Sequence, residues 1–262
     1  MNQWLFFRAV CCLAILAAPS IGDDFRIETQ VYSGRQTKPI SENLTLFTDK
    51  VVYDFLFDQE DASKVSEIVI YDLDKNRFVL LDTERELKLE IQSADLIQLL
   101  TSLKMSEPWR DKYPFLLAPA FEVKYDEPLQ RLEMTSKYIA YSVKVESPAK
   151  AQAFPVYGRF IDAYAQLNAT DPQKLPPFAR LELNRELKSR RLMPTEVEMT
   201  MEIPNQGLGS THISAISKHS AIWQLSKTDH ERIDNANKCW TKYRNSSLAE
   251  YRHLATKTAA NR

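Results

Sequence analysis

Cysteine and glycine are both scarce in this 262-residue chain, and each scarcity excludes a class of structure. Two of the three cysteines, Cys11 and Cys12, lie in the first apolar stretch, so Cys239 stands alone once that stretch is removed. A scaffold of intrachain disulfides is therefore excluded. Only five glycines are present, which argues against repeat folds, glycine-rich phosphate loops and a tight-turned β-sandwich. A hydrophobic core must hold the protein together, and the chain is long enough to form one.

An excess of charge of one sign is also lacking, and so are the common catalytic motifs. The 34 Lys and Arg residues nearly balance the 35 Asp and Glu residues, and no basic stripe typical of a nucleic-acid-binding protein is present. We find no G-x-S-x-G elbow, H-E-x-x-H pair, C-x-x-C pair or Walker loop. These absences favour a non-enzymatic protein with no cofactor, no metal and no nucleic-acid partner.

Long hydrophobic runs are absent after residue 22, but residues 1–22 have the layout of a secretory signal peptide. Arg8 supplies the positive charge, residues 9–18 form an apolar stretch too short to span a membrane, and residues 20–22 offer a cleavage site. We therefore predict an exported protein, periplasmic or extracellular, without an integral membrane segment after cleavage. Residues 23–262 are predicted to form a single α+β domain.

The first part of this domain, 23–148, is predicted to be a strand-rich core with one helix, which begins with Ser93 as its N-cap. The predicted strands are joined by short turns, so antiparallel hairpins are the simplest connection. These segments are 25–31, 40–47, 51–57, 68–71, 77–82, 87–91, 120–125, 129–135 and 138–145.

The remaining residues, 149–262, are predicted to add helices and one strand pair to this core. Helical spacing predicts helices over 156–167 and 178–191, and strands at 196–203 and 212–223 are predicted to pair. A capping box that starts at Thr228 predicts a terminal helix running to about Leu254. The predicted fold is thus a curved, mostly antiparallel, half-barrel-like sheet packed on helices, with a long C-terminal helix.

Three neighbouring strands between residues 51 and 81 are apolar on both sides, which is unusual for an antiparallel sheet. Each side of the sheet therefore needs a cover: a helix on one side, and a second layer, a ligand or a partner on the other. We predict that an apolar ligand would contact one of these faces. The predicted ligand-binding residues are Val52, Leu56, Val69, Tyr71, Val79 and Leu81.

Weaker patterns point to other sites. Asp72, Asp74 and Asn76 match the first ligand positions of a calcium loop, but its glycine and final glutamate are missing, which favours an Asx-rich turn. His212 and His219 would project to opposite faces of an unbroken strand. A hydrolase centred on His212, or on the strand carrying Glu196 and Glu198, is the least favoured function because no supporting constellation accompanies it.

The segment from Leu44 to Ile91 resembles the consecutive hairpins of the periplasmic lipoprotein carrier (LolA-like) family. The resemblance rests on the stretches 51–55, 68–74 and 77–80, in which a strand carrying an aromatic residue is followed by an aliphatic–aromatic–Asp turn. The chain also resembles uncharacterised exported proteins of planctomycete-type bacteria. The carrier resemblance implies a strongly curved sheet around helices, with an apolar cavity for acyl chains. No site residue is carried over from that family.

These observations lead to two hypotheses about function. The first is a binder of an apolar ligand such as a lipid or a lipidated protein. The alternative is a structural or protein-interaction module of the cell envelope that has no ligand, in which the second apolar face is covered by the C-terminal half of the chain or by a partner.

Overall fold

The computed structural model describes residues 24–34, 36–171, 174–204 and 209–252. The predicted signal peptide, residues 1–22, lies outside these described residues. The strands are β1 (Phe25–Ser33), β2 (Ser41–Phe47), β3 (Val51–Phe57), β4 (Val65–Asp72), β5 (Arg77–Asp82), β6 (Leu87–Gln92), β7 (Glu122–Asp126), β8 (Arg131–Thr135), β9 (Ile139–Glu146), β10 (Met193–Pro204), β11 (Ser210–Ile222) and β12 (Arg244–Asn245). The helices are α1 (Ser93–Met105), α2 (Glu107–Lys112), α3 (Pro114–Leu117), α4 (Phe154–Leu167), α5 (Phe178–Arg190) and α6 (Lys227–Lys242).

All twelve strands of the described residues belong to one open sheet, in the order β12-β6-β5-β4-β3-β2-β1-β11-β10-β9-β8-β7. Every pairing is antiparallel except that of β12 with β6. The mixed α+β class and the large, mostly antiparallel sheet are therefore confirmed. The pairing of β10 with β11 is also confirmed. A pairing that the sequence did not predict, β1 with β11, joins the first and second parts of the domain.

The sheet has two faces, which we call inner and outer. The inner face packs on α4 and α5. Because side chains alternate along each strand, the pairing register assigns every residue to one face. On the inner face, Phe47 and Tyr71 contact the ring of Phe160 from α4, at centroid distances of 5.5 and 6.4 Å. A second inner cluster lies over β8 to β10, where Leu183 and Leu187 of α5 are fully buried.

The outer face of β2 to β5 is covered by α6. Ala236, 0 % exposed, packs with Tyr53, Ile70 and Leu81 in this outer cluster. The hydroxyl of Tyr53 donates a hydrogen bond to Asn237 Oδ1 at 3.2 Å. The sequence-based inference that both faces of strands β3 to β5 need a cover is confirmed, and the cover on each side comes from the chain itself.

The prediction of a long C-terminal helix is wrong. α6 ends at Lys242, and the chain then forms β12, which pairs with the β6 edge before a helical turn at 248–252. The Ser246 backbone N–H and hydroxyl both donate to the carbonyl of Lys88. Closing the exposed strand edge satisfies backbone groups that a continued helix would have left to water. Tyr251 returns to the inner face, where its hydroxyl donates to Glu67.

Two local expectations about helix starts also need correction. The capping box of α6 is formed by Ser226 and Asp229, two residues before the predicted start at Thr228. Ser93 is the first residue of α1 rather than its N-cap, and its hydroxyl is buried without a partner.

The described residues of the part 23–148 form three helices instead of the one predicted, because prolines in the first turns of α2 and α3 favour helix starts.

Candidate functional site

The six predicted ligand-binding residues do not share one face of the sheet. Val52 pairs with Tyr71, which pairs with Phe78, so Val52, Leu56, Val69 and Tyr71 lie on the inner face. Val79 and Leu81 pair with Ile70 and Ile68 and belong to the outer cluster under α6. Grouping all six was therefore wrong. Alternation in the sequence divides the side chains of each strand between the two faces of the sheet. It does not show which side chains of neighbouring strands lie on the same face.

The predicted inner-face residues are mostly enclosed by the chain itself. Val52, Val69 and Tyr71 are at most 4 % exposed and pack in the cluster that α4 covers. Leu56, at the end of β3, is half-buried. On the outer side, Val79 and Leu81 are 0 % exposed. No open apolar surface therefore remains at the predicted position on either side of the sheet.

The inner face stays partly accessible in its middle, where β1 and β11 pair. We call this region the central strip and define it by six inner-facing side chains in the middle of the two strands: Thr29, Val31, Ile213, Ala215, Ser217 and His219. All six are half-buried, whereas the clusters on either side of them are buried. The central strip is thus a break in the packing of the inner layer.

The sequence did not single out the central strip. Of its members, the sequence analysis singled out only His219, for its spacing from His212. Strand β1 does carry a signal, because Thr29 interrupts an otherwise apolar alternation. That signal gains meaning only through the pairing of β1 with β11, which is separated from it by about 180 residues of chain.

His219 is held between two hydroxyl groups of the central strip. Its Nδ1 lies 3.0 Å from Thr29 Oγ1, and its Nε2 lies 3.0 Å from Ser217 Oγ. Burial, together with the positive charge of Arg180, lowers the pKa of His219 to about 3. The ring is therefore neutral at physiological pH and a weak base. A catalytic triad would place a carboxylate where Thr29 stands.

A fully enclosed carboxyl group lies beside the central strip. Asp54, 1 % exposed, accepts hydrogen bonds from Thr45 and Asn43, each at 2.6 Å, and from the Tyr164 hydroxyl at 2.9 Å. Burial raises the pKa of Asp54, and these three hydrogen bonds offset only part of that rise. No Lys or Arg of the described residues forms an ion pair with it. Its partners are neutral donors that fix its orientation.

A surface depression of about 440 Å³ lies against the same strands, lined mostly by outer-facing residues but also by Thr29 and His219 of the central strip. It is open to solvent, and its rim carries charges of both signs, such as Arg26, Glu42 and Arg232. Arg26 and Arg232 both contact Asp229, whose carboxylate completes the capping box of α6. These charges therefore serve to fasten α6 to the sheet, and we do not regard the depression as the functional site.

The residues of the weaker sequence patterns lie in a turn and on the outer face of the sheet. Asp72 accepts a hydrogen bond from the Lys75 backbone within the β4–β5 turn, and Asn76 has a positive φ of 47°, as an Asx-rich turn requires. His212 projects to the outer face, opposite His219, as the spacing predicted. Glu196 lies on that face too, paired with Lys144 at 2.9 Å.

No group of three or more His, Cys, Asp or Glu side chains among the described residues is arranged to hold a metal ion. Of the helices in the described part of the chain, none has the length and apolar character needed to cross a membrane.

Comparison with known proteins gives little further guidance. No family model and no curated protein matches the chain. Among solved structures, it is similar to a LolA superfamily protein from Nitrosomonas europaea, with 6 % sequence identity over 80 % of this chain and 90 % of that chain. The TM-score is 0.26, which is too low to establish a shared fold. The resemblance to planctomycete-type proteins receives no support.

Proposed function

We propose that this protein is an exported, non-enzymatic binder of an apolar ligand, such as a lipid or a lipidated protein. In this proposal the ligand lies on the central strip, inside a half-barrel-like sheet. The observation that carries the proposal is the break in the inner layer: six half-buried side chains lie between two clusters whose members are buried. Concave, mostly apolar sites with a few polar groups are typical of small-molecule binding.

The geometry around His219 supports a binding role over a hydrolytic one. A general base works best when its pKa lies near the working pH, and the pKa of His219 is about 3. The group next to Ser217 is therefore only a weak base. His212 and Glu198, on which the alternative hydrolase function depends, are exposed on the outer face, away from the central strip.

The test fills the central strip without removing any part of the core. Ala215→Trp places a large ring among the half-buried residues of β11, whereas Ala140→Trp makes the same change on the outer face of β9. The purified proteins are titrated with a fluorescent fatty-acid probe, and organic extracts of the wild-type protein are analysed for bound lipid by mass spectrometry. We expect Ala215→Trp to weaken probe binding by about tenfold or more.

The control Ala140→Trp should bind the probe as the wild-type protein does. A wild-type protein that carries no extractable lipid and ignores the probe would contradict the proposal. Equal weakening in both tryptophan variants would also count against it, because the loss would then not depend on the central strip.

A second candidate function, a structural or interaction module of the cell envelope, is favoured by one specific observation. The outer face is covered by α6 and the ends of the inner face by α4 and α5, so the chain supplies most of the cover that its sheet needs. This module would bind no lipid, and the same titration separates the two candidates.

A further inference from the structure

Arg180, in the first turn of α5, is held in place by a buried amide. Its Nε donates to Asn184 Oδ1 at 3.1 Å, and Asn184 is 0 % exposed. The amide nitrogen of Asn184 in turn donates to the Ile161 carbonyl at 3.0 Å and to Asp162 at 3.2 Å, both on α4. The guanidinium is thus anchored through one edge, which orients its two terminal nitrogens.

Those terminal nitrogens have no partner among the described residues, which sets Arg180 apart on its helix. Arg185 contacts Glu182, Lys188 contacts Asp162, and Arg190 contacts Glu186. Arg180 forms no ion pair within the described ranges, although it is half-buried. A half-buried guanidinium without an acidic partner costs desolvation energy that a bound anion would repay.

The charge of Arg180 acts on three side chains around the central strip. It lowers the pKa of His219 on β11, and it opposes the rise that burial causes in the pKa values of Tyr141 on β9 and Tyr157 on α4. The register places Ser217 and Val197 between His219 and Tyr141. Asn184 links Arg180 to α4, so Arg180 lies at the seam between α4 and α5, whose clusters flank the central strip.

Two tyrosine hydroxyls lie in the clusters that flank this seam: Tyr141 in the cluster under α5, and Tyr157 in the cluster of α4. Tyr141 and Tyr157 are each 5 % exposed, and neither hydroxyl has a hydrogen-bond partner among the described residues. Neither belongs to the fully enclosed unpaired polar atoms of those residues, which are on Arg26, Arg77, Ser93 and Arg252. Their oxygens therefore reach accessible space. The seam therefore carries one guanidinium, each flanking cluster carries one unpaired hydroxyl, and the histidine of the central strip is neutral.

We propose that Arg180 binds the oxyanion head group, a carboxylate or a phosphate, of an amphiphile whose apolar chain lies on the central strip. The inference rests on the proposed function and specifies its ligand class. The planar fork of a guanidinium fits both oxyanions in bidentate fashion, and Tyr141 and Tyr157 supply neutral donors beside it. Val31, Ala215 and Ile213 continue the site along the strip as an apolar wall.

The experiment compares three probes that share one acyl chain. Oleate carries a carboxylate, oleoyl lysophosphatidate carries a phosphate, and mono-oleoylglycerol is neutral. Each is titrated into the full-length wild-type protein, Arg180→Gln, and Arg185→Gln as the matched control on the same helix. We expect Arg180→Gln to weaken binding of an oxyanion probe by about tenfold or more while mono-oleoylglycerol binding is unchanged.

Arg185→Gln should bind all three probes as the wild-type protein does, and the stronger of the two oxyanion probes identifies the head group. If Arg180→Gln binds the oxyanion probes within about twofold of the wild-type protein, or loses all three probes equally, the assignment of Arg180 is wrong while the binding function stands. Binding of no probe to the wild-type protein overturns both proposals. Should Arg180→Gln fold poorly, salt dependence decides: wild-type binding of oleate should weaken with salt, and binding of mono-oleoylglycerol should not.

Discussion

Leu81 offers the sharpest test of how the outer face is covered. The sequence predicted that it contacts a ligand, whereas the structure buries it completely beneath α6. Leu81→Ala removes three buried carbons, worth about 0.8 kcal/mol each. The cavity left behind adds to this loss, so the expected cost is about 3 kcal/mol, within the range for such core substitutions.

The cost is measured as the change in the free energy of unfolding, from urea denaturation followed by circular dichroism. A loss of about 3 kcal/mol should appear as a lower midpoint with an unchanged slope, and as a Tm lower by about 6–12 °C. Leu129→Ala is the control on an exposed leucine, 70 % accessible, and should change stability by less than about 0.5 kcal/mol.

Ligand binding separates the two interpretations of Leu81. Under a helix cover, Leu81→Ala leaves the affinity for an apolar probe unchanged in the folded protein. Under a ligand cover, the apo protein already exposes the side chain to water, so truncation would cost less than about 1 kcal/mol and would weaken probe binding. That second pattern would refute the placement of α6 over the outer face.

Three further predictions concern charge and helix packing. Because burial raises the folded-state pKa of Asp54, stability is lost as the pH rises from the unfolded pKa through the folded one. Asp54→Asn should therefore remove this fall of the urea midpoint with rising pH, and an unchanged fall in the variant would refute the prediction. Burial raises the pKa of Asp229, but hydrogen bonds from Ser226 and the charge of Arg26 outweigh it and lower the pKa. The stabilisation by Asp229 is therefore present above its unfolded pKa and lost as the pH falls through its folded pKa. Asp229→Ala should lower the free energy of unfolding by about 1–2 kcal/mol at neutral pH and by less in acid. A loss that does not depend on pH would contradict the capping role of Asp229. Gly158→Ala places a Cβ 3.3 Å from the flexible Lys188 Cδ, so calorimetry should show a gain of about 0.5 kcal/mol; a loss would mean that Lys188 cannot shift.

Local pattern predicted most of the strands because the residues that form them carry strong short-range signals. The segments 51–57 and 77–82 were predicted with the bounds that β3 and β5 have, since apolar residues there are bounded by turn residues. The terminal helix failed for a non-local reason. Helical spacing continues past Lys242, but pairing of β12 with the β6 edge, more than 150 residues away in sequence, outweighs it.

The candidate site was beyond prediction for a related reason. Alternation within a strand shows which of its residues share a face. Which residues of two neighbouring strands share a face depends on the register of their pairing, and the geometry of the connecting turn sets that register. Val79 and Leu81 were therefore grouped with Val52, although they lie on opposite faces. A shift of one residue in the register would have placed them on the same face. The central strip requires the pairing of β1 with β11, and the polar Thr29 in β1 does not indicate which strand pairs with it.

The distribution of polar groups inside the inner layer favours the proposed binding role over a purely structural one. Asp54 is enclosed by neutral donors, and the terminal nitrogens of Arg180 have no acidic partner among the described residues. A layer with only a structural role would lower its free energy by pairing two such charges or replacing both with apolar side chains. Because the two groups are apart, the carboxyl group of Asp54 keeps its neutral hydrogen-bond donors, and the guanidinium of Arg180 remains able to bind an anion. On this argument Asp54→Asn should alter stability and leave oleate affinity unchanged, whereas Arg180→Gln should alter the affinity.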